Sequence, residues 1–267
     1  MDFETIASVY PANVALNKPS ISAKMLLLDS STGEVIAMMD GTYLTQLRTG
    51  ALQGAATDIL ARKNAKIAVL FGTGAQAATQ LEAMLSVRDL TEVRVVDINF
   101  ERAQQFASTM QKELAQYTTH IVAIKNSSDA IKDADIITAV TTSEKPVFDG
   151  ALVKSGAHVN GIGAYMPHMQ ELPALIMQKA DKIIFDTNEG VFAEAGDIII
   201  PLKSGMISQA DFNGELGELI LNKVVGRETE LEITLFKAVG SAVLDIVTAH
   251  HIYVNALERK IGQVIEV

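Results

Sequence analysis

The chain has 267 residues, enough to bury a sizeable core as one large domain or two modest ones, and its 48% hydrophobic and 20% charged content is that of a soluble globular protein. No apolar run approaches the roughly 18 residues of a membrane span, and the absence of cysteine excludes disulfides and thiolate metal sites. With 22 Lys plus Arg against 32 Asp plus Glu, the formal charge of −10 repels nucleic-acid phosphates, so an anionic ligand must be held by a local device such as a helix N-terminus or one well-placed arginine.

The N-terminus, MDFETIASVY, is acidic and lacks the apolar stretch of a secretory signal, which points to a cytoplasmic protein. Residues 1 to about 40 read as short strands and turns. SAKMLLLD (22–29), the polar turn SSTG and EVIAMMD form a β-hairpin pattern. From Thr45 the pattern turns helical, with Leu44, Leu47, Ala51, Ala55 and Ile59 at spacings of three and four.

After Lys66 apolar runs alternate with helical segments. KIAVLF (66–71), VRVVD (93–97), HIVAI (120–124), DIITAV (135–140), GAHVNG (156–161) and DKIIFD (181–186) are predicted strands. Helices are predicted over 75–85 and 99–113, and a short one over SSDAIKDA carries serine capping signals. This alternation predicts an α/β fold with a doubly wound parallel sheet beside a smaller, incomplete β-rich domain. The boundaries fall at residues 1–63 for the β-rich piece, 64–236 for the central domain and 237–267 for a closing apolar helix that packs back on the first piece.

Strand KIAVLF runs into Gly72-Thr73-Gly74-Ala75-Gln76-Ala77, which fits G-x-G-x-x-G/A. Gly72 permits the tight turn, Gly74 lets backbone approach a pyrophosphate, and Ala77 lets helix and strand pack closely. Asp97 closes the next strand, where a carboxylate accepts ribose hydroxyls and repels a 2′-phosphate. NAD is therefore favoured, with NADP kept open by the nearby Arg102. Two more segments end strands on the same sheet edge, AVTTSEKP (139–146) and VNGIGA (159–164). Thr141, Thr142 and Ser143 supply hydroxyls to the nicotinamide-side ribose or form a polar turn. Asn160, Gly161 and Ile162 complete that edge.

LTQLRTGA (44–51), LFGTGAQA (70–77), AVTTSEKPVF (139–148), HVNGIGAYMPHMQEL (158–172), GDIIIP (196–201) and ITLFKAVGSAVLD (233–245) occur in an order and spacing that resemble the ornithine cyclodeaminase/μ-crystallin family across nearly the whole chain. The resemblance implies a Rossmann domain beside a substrate-binding and dimerisation domain, a homodimer, and hydride transfer between a nicotinamide and the Cα of a small amino or imino acid. No metal site, nucleic acid or membrane partner is implied. It assigns Arg48 to the substrate carboxylate, a task suited to the guanidinium fork. As a first-turn cation Arg48 opposes the helix dipole, which also argues for a purpose. TLFKAVG, with Lys237 and Gly240, lines the far side of the nicotinamide, although Lys237 equally suits a solvated strand end. Asp245 reaches the active site or packs the last helix. The five histidines read as structural or as surface residues.

Two departures matter. Family members carry further residues ahead of SVYPAN, including an arginine for the substrate carboxylate and a lysine that acts near the reacting carbon, and Thr5 falls about where that lysine is expected. Cyclodeaminases place a proton-handling aspartate in the loop where this chain has Tyr165, and a phenol with an ordinary pKa near 10 cannot replace it as a base. The leading expectation is an NAD(P)-dependent pyrroline-2-carboxylate reductase or alanine dehydrogenase. The alternatives are an ornithine cyclodeaminase and a non-catalytic dinucleotide-binding relative. Glu171 is expected to be structural.

Overall fold

A computed structural model describes residues 2–10, 13, 16 and 21–265. Pro11 and Ala12 of the SVYPAN segment lie outside the described residues. The chain forms two compact units, one from residues 1–48 with 241–267 and the other from 49–240.

The first unit carries an antiparallel sheet of β1 (Asp2–Val9), β2 (Ile21–Leu28) and β3 (Val35–Asp40) in that spatial order. Alternation sets its inner face: Phe3, Met25, Leu27, Ala37 and Met39 cluster with Leu44 and with Ala249, Ile246, Ile252 and Tyr253 of the closing helix. The predicted hairpin is thus present, and the last helix belongs to the same unit. Helix α1 (Gly41–Leu60) spans the division between the units at residue 48.

The second unit is built on eight parallel strands. In chain order these are β4 (Ile67–Phe71), β5 (Glu92–Val96), β6 (His120–Ala123), β7 (Ile136–Ala139), β8 (His158–Gly161), β9 (Lys182–Phe185), β10 (Gly214–Glu215) and β11 (Thr234–Lys237). Their spatial order is β10-β9-β11-β8-β7-β4-β5-β6. The chain leaves β4 toward β5 and β6, then returns to β4's other side with β7 and β8, so the direction switches between β4 and β7. That crevice, at the carboxyl ends of the strands, is where open α/β sheets bind ligands.

Helices cover both faces. In β4 the alternation is direct, since Ala68 and Leu70 enter one core cluster and Val69 and Phe71 the other. The flanking helices are α2 (Ala77–Val87), α3 (Phe100–Glu113), α4 (Ser127–Ile131), α5 (Ala174–Lys179), α6 (Asn188–Glu194), α7 (Gly196–Lys203) and α8 (Leu216–Ile220). α9 (Ala242–Arg259) is the closing helix.

Three local expectations are corrected. The helix predicted from Thr45 begins at Gly41, and its buried face follows the predicted stripe only in part: Leu44 is buried, but Leu47 and Ile59 are exposed while Gly50, Gln53, Gly54 and Thr57 are buried. The reason is close packing: a Cβ on Gly50 would fall 2.7 Å from Thr79 O, and one on Gly54 3.3 Å from Ala83 Cβ, so only small residues fit against α2. α4 is capped by Asn126, whose side chain accepts from the Ser128 and Asp129 amides, not by a serine. Lys237 ends strand β11 instead of opening the last helix, which starts at Ala242.

Candidate active site

At the carboxyl end of β4 the chain turns at Gly72, whose φ of 97° favours glycine. A Cβ there would sit 2.8 Å from Val140 O, so the loops after β4 and β7 meet backbone to backbone at the switch point. Gly74 differs: a Cβ on it would meet nothing within 4 Å. Neither crowding nor a positive φ requires glycine here. α2 opens with no carboxylate in its first turn and its N-cap residue Gln76 makes no side-chain cap; Ala77 N donates to Gly74 O at 3.0 Å, and no side chain caps the amides that follow it. Ala77 is fully buried under the helix, the packing expected of the third small position.

Asp97, one residue past β5, faces this loop. Its Oδ2 accepts from Thr73 N at 3.0 Å and Thr73 Oγ1 at 2.6 Å, and its Oδ1 accepts from Asn99 N at 2.9 Å. Burial pushes the carboxyl up, but the bonds from Thr73 and Asn99, with Arg102 nearby, outweigh it and hold the group below 3.8, so it is an ionised acceptor. Arg102 itself is exposed. A second dipole-lined turn follows β11, where Asp186 Oδ2 accepts from Val239 N at 3.0 Å and Gly240 N at 2.7 Å.

Beyond β7 the predicted hydroxyls separate. Thr141 Oγ1 is engaged by Glu171 at 2.9 Å, and Ser143 Oγ donates to Lys145 O at 2.6 Å. Thr142 is exposed and its hydroxyl makes no hydrogen bond among the described residues, leaving it the one free to meet a ligand.

Beyond β8 the expectations change more. The Asn160 side chain is fully buried, donating to Thr57 Oγ1 at 3.1 Å and Thr138 Oγ1 at 3.2 Å, with its Oδ1 2.9 Å from His158 Nε2. Ile162 is also buried, and a Cβ on Gly161 would lie 2.6 Å from Leu172 Cδ1. The side chains of Asn160 and Ile162 therefore serve the core, and only their backbone faces the sheet edge. His158 is buried likewise, and desolvation, aided by Arg227, drives its pKa down to about 3, so it is neutral. His120 and His168 are exposed. Tyr165 stands 46% exposed in the loop after β8.

Lys237 overturns its solvated reading. It is fully buried, with Nζ 2.9 Å from Asp197 Oδ2, a charge contact without the alignment of a hydrogen bond. Asp197 Oδ1 accepts from the Glu171 and Leu172 amides, both at 2.8 Å. Glu171 is buried as well. Burial raises its carboxyl, Lys237 lowers it and Asp197 raises it, with a net upward shift. This charged cluster joins residues 26 and 40 positions apart, and no local spacing reveals it.

In the first unit, Arg48 Nε donates to Asp245 Oδ1 at 3.0 Å, with side chains 12% and 19% exposed. Its terminal nitrogens make no hydrogen bond among the described residues. Because α1 starts at Gly41, Arg48 lies two turns in, where the dipole argument for its purpose no longer applies. The ion pair instead fixes its orientation. Thr5 lies within β1, paired with Met25. Among the described residues no group of acids and histidines suits a metal ion, and no helix is long and apolar enough to cross a membrane.

The family model of the ornithine cyclodeaminase/mu-crystallin family matches residues 5–260. The chain belongs to this family. It is 40% identical to a Δ1-pyrroline-2-carboxylate reductase of Bacillus cereus over 98% of this chain and 79% of that protein. Among solved structures of the family, it superposes with a TM-score of 0.93 and 40% identity on Thermococcus litoralis Δ1-pyrroline-2-carboxylate reductase in complex with NADH and L-proline, covering 98% of this chain and 80% of that one. An archaeal alanine dehydrogenase dimer with bound NAD matches at a TM-score of 0.89 and 35% identity, over 99% and 80% of the two chains.

Proposed function

We propose that this chain is an NADH-dependent reductase of small cyclic imino acids, with Δ1-pyrroline-2-carboxylate as the typical substrate, working in reverse as an amino-acid dehydrogenase. One observation carries the choice over cyclodeamination. The loop after β8 offers no free carboxylate: the family resemblance puts Tyr165 at the place of the cyclodeaminase aspartate, and Glu171, the one acid of the loop, is buried and accepts four hydrogen bonds. The relatives named as pyrroline-2-carboxylate reductases and as an NAD-bound alanine dehydrogenase support the same reading.

The residues present fit a dinucleotide. The open approach over Gly74 and the uncapped amides of α2 receive the pyrophosphate, and ionised Asp97 accepts from the adenosine ribose hydroxyls, favouring NADH over NADPH. Thr142 and the backbone at Gly161–Gly163 meet the nicotinamide half. When bound, the nicotinamide supplies the hydride for the substrate's Cα. Arg48, held in one rotamer by Asp245, grips the substrate carboxylate with its free terminal nitrogens. A homodimer, like that of the archaeal alanine dehydrogenase, and a cytoplasmic location complete the proposal.

A substrate panel tests it. NADH consumed with pyrroline-2-carboxylate, or with pyruvate plus ammonia, supports the reductase. Proline and ammonia formed from ornithine without net NADH change would replace it by a cyclodeaminase.

A further inference from the structure

The loops after β7 and β8 are pinned to each other by one buried carboxylate. Glu171 Oε2 accepts from Thr141 N at 2.7 Å and Thr141 Oγ1 at 2.9 Å, while Oε1 accepts from Gly163 N at 2.6 Å and Ala164 N at 3.1 Å. Between these loops no side chain fits, since a Cβ on Gly163 would lie 2.2 Å from both the nitrogen and the oxygen of Thr141. The glutamate is anchored in turn. Asp197, in the first turn of α7, holds the Glu171 and Leu172 amides through Oδ1 and faces Lys237 of β11 through Oδ2. All three charged side chains are 0% exposed.

Stability does not explain such a cluster. Three ionisable groups taken out of water are costly to desolvate, and well-packed apolar side chains of similar size are often as stable or more so. What the cluster does provide is geometry. Its four bonds satisfy three loop amides that would otherwise be orphaned, and they fix the backbone just past the carboxyl ends of the neighbouring strands β7 and β8. A fully buried Lys237 cannot touch a ligand from this position. It acts through Asp197 and Glu171.

We propose that Glu171 is a positioning residue for the dinucleotide, setting the Thr141 and Gly163–Ala164 backbone that receives the nicotinamide half, with Asp197 and Lys237 holding Glu171 in place. The assignment rests on the dinucleotide reading given above.

Glu171→Gln in the full chain tests it. Glutamine keeps one acceptor oxygen but turns an NH2 group toward two of the four donors. Two readouts are compared: amide hydrogen exchange of the dinucleotide-free protein, and NADH affinity from the cofactor's own fluorescence. The expected result is exchange at Thr141, Gly163 and Ala164 faster by about tenfold, unchanged exchange in β4 and β5, and an NADH Kd raised about tenfold. Exchange accelerated uniformly across the sheet would assign Glu171 a purely structural role and overturn the proposal. So would wild-type loop exchange, or a wild-type Kd. Should E171Q fail to fold, Thr141→Val removes the hydroxyl's bond to Glu171, together with the 3.4 Å bond it accepts from Ser143 N, and leaves the other three bonds to Glu171 in place. It is expected to speed Gly163 and Ala164 exchange by roughly twofold to fivefold, and no change there overturns the proposal. A wild-type chain that fails to bind NADH overturns the dinucleotide reading and this proposal together, whereas equal binding by wild type and E171Q overturns the positioning role alone.

Discussion

His158 illustrates how a polar side chain is accommodated in the core of the parallel sheet. Its ring nitrogens lie 2.9 Å from Thr234 Oγ1 and 2.9 Å from Asn160 Oδ1, and burial keeps it neutral with a pKa near about 3. As the pH falls, the unfolded chain takes up this proton at about 6.5 while the folded chain does not. The stability contributed by neutral His158 is therefore complete above pH 6.5 and is lost progressively toward about pH 3. At pH 5 the loss is about 2 kcal/mol. Glu171, shifted the opposite way by burial, adds a slope of contrary sign, so the share of His158 is isolated by difference. Urea denaturation of wild type and His158→Asn between pH 7 and 5 should show the wild type losing that much more; parallel pH profiles would contradict it. Arg48 belongs to the same scale. Arg48→Ala should raise KM for a carboxylate substrate roughly tenfold to a hundredfold by removing a charge-assisted bidentate contact, with NADH Kd unchanged. An unchanged KM removes its assigned role.

At the scale of elements, the glycine loop makes the sharpest contrast. Gly72→Ala forces an alanine to φ near 97° and against Val140 O at 2.8 Å, and should cost about 1–3 kcal/mol of stability. Gly74→Ala meets no neighbour, so thermal melting should stay within about 0.5 kcal/mol of wild type, while NADH affinity falls by about tenfold or more. Melting curves and NADH titrations of the two variants check both halves; a Gly74→Ala protein that binds normally would show that nothing approaches this glycine. The loop was legible because its signal is local, a strand of Val, Ile and Leu buried on both faces running straight into glycines. The strands β4 to β9 were legible for the same reason. α1 was legible only in part, because its buried face mixes Leu44, Ala56 and Leu60 with Gly50, Gln53, Gly54 and Thr57, the latter selected by contact with α2 and by a bond to Asn160, which leave no apolar period. β11 was obscured by its final lysine, whose counter-charge Asp197 lies 40 residues earlier. Asn160 and Ile162 were legible as a strand end, but the facing of each side chain depended on strands and helices far away in sequence.

For the whole molecule, the topology explains why residues distant in the chain serve one edge. Parallel pairing of β4 with β5 and β7, and of β7 with β8, brings the glycine loop, Asp97, Thr142 and the Gly163 loop to the same side of the sheet. The ordered motifs made the family legible from sequence, and the choice among its activities narrows to what the loop after β8 contains. The proposed preference for NADH over NADPH rests on Asp97, because an ionised carboxylate there would repel a 2′-phosphate. The most direct measurement is NADH oxidation, followed at 340 nm, by the purified chain supplied with Δ1-pyrroline-2-carboxylate. The account predicts saturable turnover with one proline formed per NADH consumed, and weaker use of NADPH. No NADH consumption with this substrate, in a protein shown to bind NADH, would contradict it.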